Sequence, residues 1–571
     1  MIDSKFESQT AGESFRLSER LAFIVVIVIN LLVTVFLARQ VLAHGDYPFD
    51  NDEAAHALPA LLMAEALEKG DWRGFVTEVY GQNFYPPGIA AFLIPVYLVA
   101  GPPAETARLV SVAALFLANL VLFALARLID PGRGAVAGVI AVILTLTARP
   151  LLTNSALAML EMPGLLLCLL LLWIYVLSLR RHSAAPLMLT GILLAAVFLT
   201  KYTFGLVALA AVGGNELIEL RSASMRREGL RRWISLFGPF LIIMAIWFVR
   251  PGQLSTFFDY TQPLSDGQAW LSWANVLYYP RSLALHSTPS YLFAIVNLAG
   301  LIWGVINWRD AGVRVLVLFF AAGMAAVMFV NHPPNPRFIT PFAPAIQLLT
   351  GLMIVRLWPA GARSEVRAAA EQGTGEKHSF AWRVLGLGII GAIALASVPS
   401  VAARYTHYSS LLEARMETSP VLEEVAEWIA TNIPAGDPIY LINFWDQFGP
   451  LQLQWTLATR TDGRPPAVIG KVLEPAEAEK TVALADEVQS SGSAALVVIE
   501  GGPWGTPFWP EYTAAMQSNL KEIARRDFVV EYYHISDWLD QNTLAGADWE
   551  MVKADSLETL EIGVIVYEVT R

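Results

Sequence analysis

The chain has 571 residues, of which 55% are hydrophobic and 16% are charged, and its mean hydropathy is +0.49. The formal net charge of −11 comes from the last part of the chain, because 26 acidic and 11 basic side chains follow residue 403. This acidic balance argues against nucleic acid as a partner. A single cysteine, Cys168, excludes a disulfide within the chain.

Long apolar segments follow one another over residues 1–403, whereas residues 404–571 have the composition of a soluble domain. The predicted fold class is an α-helical polytopic membrane protein with about 11–13 transmembrane helices and a C-terminal soluble α/β domain. The first segment, 21–43, is too long for a cleavable signal peptide and predicts a signal-anchor helix. The others lie near 86–101, 105–129, 134–155, 164–179, 186–200, 203–220, 234–249, 290–307, 313–330, 338–357 and 384–400.

Arginine-rich loops predict how this bundle lies in the membrane. The loop 221–233, "RSASMRREGLRRW", is the strongest cytoplasmic marker under the positive-inside rule. Alternation from this loop places the N-terminus in the cytoplasm. It places loops 44–85 and 250–289 and the C-terminal domain on the extracytoplasmic side. The expected location of the protein is the inner (plasma) membrane of a bacterium. Segment 86–101 is short for a crossing, so we interpret it as a re-entrant or juxtamembrane helix, which leaves about eleven crossings.

The first outer loop contains an acidic cluster, "DYPFDNDEAAHA", at residues 46–57. It opens a predicted amphipathic helix that would suit the membrane interface. Two interpretations stay open for Asp52: a helix cap, for which Asn and Asp are preferred, or a general base facing a membrane-embedded cavity. His56 lies one helical turn after Asp52, where a side-chain hydrogen bond is favoured over a metal site with two ligands.

Three further charged residues interrupt apolar sequence. Glu161 lies within "NSALAMLEMPGLLLCLLLLW", Lys201 follows "GILLAAVFLT", and Arg337 lies within "NHPPNPRFITPFAP". Capping by Glu161 and snorkelling by Lys201 are the structural alternatives. Together with Asp52, these residues place carboxylates and cations on one predicted membrane face. Transfer from a lipid phosphate needs this combination, because cations hold the leaving phosphate and a carboxylate deprotonates the acceptor.

Five blocks of sequence follow one another along the membrane part of the chain. They are "DNDEAAHALPALLMAEALEKGDW", "FYPPGIAAFLIPVYLVAGPPAETARLVSV", "MLEMPGLLLCLLLL", "FLTKYTFGL" and "PRFITPFAPAIQLL". Blocks of this kind, in this order, are typical of the C-type membrane glycosyltransferases (GT-C). The membrane part of the chain therefore resembles this family, and within it the group of protein mannosyltransferases and lipid A aminoarabinose transferases. The soluble tail is similar to the C-terminal domains of many bacterial members.

The resemblance implies a role for each residue that matches a family block. Asp52 would be the catalytic base, and Glu53 would be its neighbour or orienter. Glu161 stands at the second acidic site and would orient the acceptor or the sugar. Lys201 and Arg337 match the blocks that supply cations, so they would bind the donor phosphate.

His56 and three aromatic residues are the predicted substrate contacts. Tyr85, in "YPP", stands where many family members have His or Lys, and this departure removes a cation that would meet the phosphate. Trp270 and Trp273 belong to the outer loop 250–289, which would cover the cavity. Stacking on a sugar is one interpretation of these tryptophans, and a membrane belt is the default one.

The resulting expectation is an inverting glycosyltransferase that moves a sugar from a polyprenyl-phosphate donor to a protein, lipid or glycan acceptor. No cofactor is certain, and a divalent metal stays open, with Asp52, Glu161 and His56 as candidate ligands. The acidic C-terminal domain, in which no residue pattern indicates catalysis, would cover the site and select the acceptor.

Three other classes compete with this expectation. A transporter or flippase of lipid-linked or small anionic substrates would also place ionisable residues in an apolar bundle, but the chain shows no repeated halves. A polymerase or ligase of lipid-linked glycans would carry its large outer loop late in the bundle. A non-catalytic scaffold would leave the charged residues in apolar sequence unexplained.

Overall fold

The computed structural model is a bundle of apolar helices joined to a domain with a small sheet. The structure describes residues 3–44, 49, 51–82, 85–181, 183–222, 226–250, 252–261, 273–329, 335–357, 376–433, 438–443, 448–460, 467–471, 484, 486–500, 520–533 and 557–569.

The regular secondary structure in the described part of the membrane module is all helical. Helix α1 (Asp3–His44) is followed by α2 (Asn51–Glu68) and α3 (Trp72–Gly81) in the first outer loop. The chain continues with α4 (Ala90–Ala100), α5 (Ala104–Ile129), α6 (Gly134–Leu146), α7 (Arg149–Ser155), α8 (Glu161–Arg181), α9 (Ala184–Thr200), α10 (Tyr202–Ser222), α11 (Arg226–Phe248), α12 (Gln253–Thr261), α13 (Trp273–His286), α14 (Tyr291–Ile306), α15 (Ala311–Phe329), a 3₁₀ turn (Pro336–Ile339), α16 (Ala343–Leu357) and α17 (Glu376–Ala396).

Seven of the described helices are long and apolar enough to cross a membrane. Two further candidate spans are bent pairs, because α6 and α7 meet at 70° and α13 and α14 meet at 111°. Helices α4, α9 and α16 are apolar but shorter. The protein is therefore an integral membrane protein. The number of crossings stays a prediction, since it depends on which bent and short helices cross.

Helix α2 is buried over most of its surface, including Glu53, Ala57 and Ala64. It packs against α3, α4 and a helix of the C-terminal domain. The reason is its high alanine content, because small side chains let neighbouring helices approach from several directions. The half-buried positions of α2, Asp52, Ala55 and Leu62 among them, recur at helical spacing along one side, and the place of the helix at the membrane interface stays a prediction.

The C-terminal domain begins without a break in the chain. Helix α18 (Val398–Asn432) runs continuously from the membrane module into this domain, so the boundary predicted between residues 403 and 404 falls inside a helix. Composition marks where apolar surroundings end, whereas the backbone hydrogen bonds of α18 continue past that point. The remaining elements are β1 (Ile439–Ile442), α19 (Pro450–Arg460), β2 (Val468–Lys471), β3 (Ala495–Glu500), β4 (Leu520–Tyr533) and β5 (Leu557–Val569).

The described strands form one mixed sheet in the order β2-β1-β3-β5-β4. Strand β1 is parallel to β2 and β3, and β5 is antiparallel to β3 and β4. Strands β1 and β3 are apolar and almost completely buried, as is typical of strands covered on both faces. Helices α18 and α19 cover one face through Val425, Ile429 and Leu453, and Leu484 and Val488 cover the other. The predicted fold class, a helical membrane module with an α/β domain, is thereby confirmed.

Helices α9 and α11 touch backbone to backbone at Gly191. A Cβ atom there would lie 2.0 Å from the carbonyl oxygen of Leu236, whereas one at Gly238, also in α11, would meet nothing within 4 Å. We expect Gly191→Ala to destabilise the protein by roughly 1–3 kcal/mol through overpacking. Gly238→Ala is the matched control and should be neutral or slightly stabilising. Thermal unfolding in detergent measures both, and equal melting temperatures would contradict the close contact.

Candidate functional site

The predicted charged residues come from elements far apart in sequence and meet at one end of the bundle. Asp52 lies in the first turn of α2, and Glu161 opens α8. Lys201 lies between α9 and α10, and Arg337 belongs to the 3₁₀ turn. Because successive helices run in opposite directions, the start of α8, the end of α9 and the start of α10 all lie at the same end of the bundle.

Asp52 and Arg337 form an ion pair that remains accessible. Nη1 of Arg337 donates to Oδ2 of Asp52 at 2.8 Å, and the two side chains are 40% (Asp52) and 26% (Arg337) exposed. The side chain of Asn335 accepts a hydrogen bond from the Arg337 backbone N–H at 2.9 Å, which fixes the turn. Nε of Arg337 is buried and has no hydrogen-bond partner among the described residues. The guanidinium thus keeps a donor for a further ligand.

Glu161 and Lys201 form a second, buried pair. Nζ of Lys201 lies 3.6 Å from Oε1 of Glu161, and their side chains are 5% and 1% exposed, respectively. The same Nζ lies 5.1 Å from the ring centroid of Phe204 and 4.7 Å from that of Phe338, within the range of cation–π attraction. Oε2 of Glu161 has no hydrogen-bond partner among the described residues. This pair therefore also has hydrogen-bonding capacity left over.

A helix break presents Lys201 to the site. Helix α9 ends at Thr200, and Lys201 has an extended backbone (φ −154°, ψ 127°) before α10 begins. The turn that follows Tyr85 touches this break, because the Gly88 backbone N–H donates to the Leu199 carbonyl at 2.6 Å. A Cβ atom at Gly88 would lie 2.5 Å from that carbonyl oxygen, so only glycine fits without displacement.

Glu53 and Arg108 form a fully buried pair next to the accessible one. Arg108 donates from Nε and Nη2 to the two oxygens of Glu53 at 2.9 and 2.8 Å, and neither side chain is exposed. The backbone N–H of Ala158 donates to Oε1 of Glu53 at 2.8 Å. The guanidinium of Arg108 lies 5.1 Å from the ring centroid of Phe49. Glu53 thus ties α2 to α5 and to the segment before α8, and both of its oxygens are occupied.

His56 and Tyr85 form the aromatic side of the site, with ring centroids 4.6 Å apart. Burial lowers the pKa of His56 to about 4, and the charges of Asp52 and Glu161, which raise it, do not compensate. The imidazole is therefore neutral at neutral pH. It supplies ring surface and hydrogen-bonding atoms rather than a charge.

The ion pair controls the protonation of Asp52. Burial alone would raise the pKa of this carboxyl, but the charge and hydrogen bond of Arg337 outweigh burial, so the pKa falls below its ordinary value of 3.8. Burial would lower the pKa of Arg337, but the charges of Glu161 and Asp52 raise it further above its ordinary value. Both groups are ionised at neutral pH, and Asp52 is a weak base as long as Arg337 holds it.

Comparison with known proteins identifies the architecture. A model of the dolichyl-phosphate-mannose-protein mannosyltransferase family matches residues 85–249. The structure of ArnT from Cupriavidus metallidurans in the apo state aligns with 96% of this chain and 98% of its own, with a TM-score of 0.55 and 15% sequence identity. The chain has the GT-C fold. The fold that the ordered blocks of sequence imply is confirmed by this architecture.

Two further structures share this GT-C fold. ArnT from Cupriavidus metallidurans bound to undecaprenyl phosphate aligns with 95% of this chain and 97% of its own, at a TM-score of 0.54 and 15% identity. The archaeal oligosaccharyltransferase AglB from Archaeoglobus fulgidus was solved with an inhibitory peptide and a dolichol-phosphate. It aligns with 90% of this chain and 73% of its own, at a TM-score of 0.54 and 12% identity. No curated protein matches the chain in sequence.

Two of the predicted GT-C site residues cannot be placed. Trp270 lies outside the described residues, and so does the side chain of Trp273, the residue at which α13 begins. Their predicted contact with a sugar stays a prediction.

The described residues do not fit the divalent metal that the sequence leaves open. Among them, no three or more His, Cys, Asp or Glu side chains lie together as metal ligands. Asp52 pairs with Arg337 and Glu161 pairs with Lys201, so each carboxylate is already neutralised by a cation. A hard cation such as Mg²⁺ prefers several unpaired oxygen ligands.

Two residues that support this site were not predicted from the sequence. Arg108 lies in the apolar segment of α5, so a charge within apolar sequence, the signal that indicates Glu161, was also present there. Trp455, in α19, packs on Phe49 with ring centroids 4.7 Å apart. No local pattern indicates this contact, because its two members belong to different domains.

The buried pair yields a stability prediction. Glu53→Gln removes the negative charge that lies 2.8 Å from the buried Arg108 guanidinium, and breaking a buried pair in this way costs about 3–5 kcal/mol. We therefore expect a large fall in melting temperature in detergent. Glu65→Gln, in the same helix, is the control, because its pair with Lys69 is partly exposed and worth no more than about 1 kcal/mol. Similar losses in the two variants would contradict the role of the buried pair.

His56 yields a prediction about pH. Its folded-state pKa of about 4 lies below the ordinary 6.5, so between these values the unfolded chain binds more protons than the folded one. The free energy of unfolding therefore keeps its full value above pH 6.5, as far as His56 is concerned, and decreases as the pH falls toward 4. We expect the melting temperature of the wild type to fall relative to that of His56→Gln as the pH is lowered from 6.5 to 4, because glutamine does not titrate. A pH-independent difference would show that His56 titrates normally.

Proposed function

We propose that the protein is an inverting glycosyltransferase that transfers a sugar from a polyprenyl-phosphate donor to an acceptor at the extracytoplasmic membrane face. The observation that carries the proposal is the accessible Asp52–Arg337 pair together with the buried Glu161–Lys201 pair. Two cations and two carboxylates are the groups that transfer from a lipid phosphate requires. The shared fold with ArnT bound to undecaprenyl phosphate and AglB in complex with a dolichol-phosphate supports this class of donor.

The donor phosphate competes with Asp52 for Arg337. A phosphate accepts two parallel hydrogen bonds from a guanidinium and draws it away from a carboxylate. Asp52 then loses the charge that lowers its pKa, and burial, which raises the pKa, prevails. Binding of the donor thereby converts Asp52 from a paired anion into a general base for the acceptor.

The transfer itself exchanges one bond at the anomeric carbon for another. The acceptor oxygen or nitrogen attacks from the face opposite the phosphate, and its proton passes to Asp52. The bond to the phosphate oxygen breaks at the same time, so the configuration inverts and polyprenyl phosphate leaves as an anion. Lys201 and Arg337 stabilise the charge on this leaving group in a site with little water, where such stabilisation is strongest. Glu161 binds the sugar or the acceptor through Oε2.

The role of Glu53 in this proposal is the orienting one that the family resemblance implies. Its two oxygens are held by Arg108 and by the Ala158 N–H, so it orients α2 and thereby Asp52. Tyr85 and His56 offer the sugar a ring surface beside the charged pairs.

The distribution of arginine supports the extracytoplasmic placement of the site. Helix α8 begins at the site with Glu161 and ends at the opposite end of the bundle with Arg180 and Arg181. The same end contains the arginine-rich start of α11. Under the positive-inside rule this end faces the cytoplasm, so the site faces outward and meets a donor and an acceptor there.

An assay of donor cleavage tests the proposal. Purified protein receives labelled polyprenyl-phosphate sugars and a cell-envelope extract as acceptor, and release of free polyprenyl phosphate is measured. We expect Asp52→Asn to lower kcat by about 10²–10⁴-fold, the typical contribution of a general base, with donor binding retained. Arg337→Gln should raise the KM for the donor. Glu65→Gln, in the same helix but away from the pairs, is the control and should keep the wild-type rate.

Other outcomes redirect the proposal. Turnover that survives Asp52→Asn would contradict its role as base and move that role to Glu161. Loss of turnover in a chelator would show that a metal acts after all. If no donor is cleaved but lipid-linked sugar crosses a proteoliposome membrane, the protein is a flippase, an alternative that the GT-C fold does not favour.

A further inference from the structure

We infer that the C-terminal α/β domain and the helix α18 that leads into it position both members of the Asp52–Arg337 pair, through Trp455 in α19 of the domain and Arg404 in α18. The catalytic consequence rests on the proposed function, whereas the contacts themselves do not. No residue of the domain is required to touch the substrate. Trp455 and Arg404 are therefore positioning residues.

The first route runs from α19 to Asp52. Trp455 packs edge-on against the ring of Phe49, with centroids 4.7 Å apart, and α19 lies against α2. Phe49 is completely buried, and its ring contacts the Arg108 guanidinium at 5.1 Å. Arg108 in turn holds Glu53, the neighbour of Asp52 in the first turn of α2. A tryptophan of the soluble domain thus supports the buried pair that orients the proposed base.

The second route begins at Arg404 in α18. Its Nη1 donates to the carbonyls of Thr147 at 2.6 Å and Thr288 at 2.7 Å, and its Nη2 donates to that of Leu285 at 3.1 Å. These carbonyls lie at the C-terminal ends of α6 and α13, where the two bent spans break. Carbonyls at a helix end lack intrahelical partners, and a cation is favourable there. One side chain therefore holds both bends together.

The bent helices lead from Arg404 to Arg337. Helices α7 and α13, one from each bent pair, both pack against the 3₁₀ turn that carries Arg337. The hydroxyl of Tyr279, in α13, accepts a hydrogen bond from the Asn335 backbone N–H at 3.4 Å. Asn335 caps the Arg337 N–H with its side chain. A shift of either bend would move the guanidinium relative to Asp52.

Both routes matter because transfer needs accurate placement of the base and the cation. A displacement of about 1 Å costs a catalytic site on the order of 100-fold in rate. Neither α2 nor the 3₁₀ turn belongs to a long membrane-spanning helix, so each depends on its neighbours for its position. Helix α18, which carries Arg404, continues directly into the sheet domain, which carries Trp455, so the two positioning residues are connected through one helix.

Amide hydrogen exchange on the full-length protein tests the two routes separately and without any activity assay. We expect Trp455→Ala to increase exchange in residues 51–68 and Arg404→Gln to increase it in residues 335–343. Arg133→Gln is the matched control, because Arg133 also donates to a helix-end carbonyl, that of Val355, but at the opposite end of the bundle. It should leave both segments unchanged. Trp455→Phe, which keeps an aromatic ring, should retain most of the wild-type protection. Trp455→Leu, which keeps apolar volume but no ring, replaces Trp455→Ala if that variant does not fold and should also increase exchange in residues 51–68.

Binding and turnover then give the catalytic consequence. With undecaprenyl phosphate as the probe, Arg404→Gln should weaken binding about tenfold, and it should add little to Arg337→Gln because both act on one guanidinium. Trp455→Ala should lower kcat about tenfold with little change in the KM for the donor. Unchanged exchange in both segments would overturn the inference. If exchange changes as expected but wild-type protein binds no undecaprenyl phosphate, the proposed donor is wrong and the positioning role stands.

Discussion

The cost of an unpaired charge in an apolar helix bundle governs this structure. An ionised side chain away from water loses several kcal/mol unless an opposite charge or hydrogen bonds compensate. Each charged residue that interrupts the apolar sequence near the site meets a partner: Asp52 meets Arg337, Glu53 meets Arg108 and Glu161 meets Lys201. Because the members of each pair lie in different elements, the pairing also determines how the helix ends come together.

The three pairs differ in how completely they are satisfied, and this difference separates support from chemistry. Glu53 has both oxygens occupied and no exposure, so its pair can hold helices but cannot accept a ligand. The Asp52–Arg337 pair is accessible, and its guanidinium keeps a donor that no described residue uses. In the proposed mechanism, a donor phosphate opens this ion pair and thereby raises the basicity of Asp52, which would couple the two substrates without a moving domain.

The C-terminal domain is connected to the bundle by a continuous helix and by side-chain packing. Its helix α18 crosses the boundary that composition indicates, and Arg404 in that helix holds the carbonyls at two helix breaks. Such breaks are tolerated inside a membrane protein only where other groups satisfy the freed backbone. The arginine that satisfies them here, Arg404, lies in α18, the helix that joins the domain to the bundle, so this joining helix also contributes to the membrane fold.

Sequence by itself determined the helical membrane class, the α/β tail and the identity of Asp52, Glu161, Lys201 and Arg337 as unusual residues. These are local properties: the length of an apolar run, the alternation of strands and helices, and a charge where apolar residues surround it. Only the tertiary structure decided which carboxylate meets which cation, that Glu53 is fully enclosed and that α2 is buried over most of its surface. Pairing and burial are set by which distant elements pack together, and no local pattern encodes the partner.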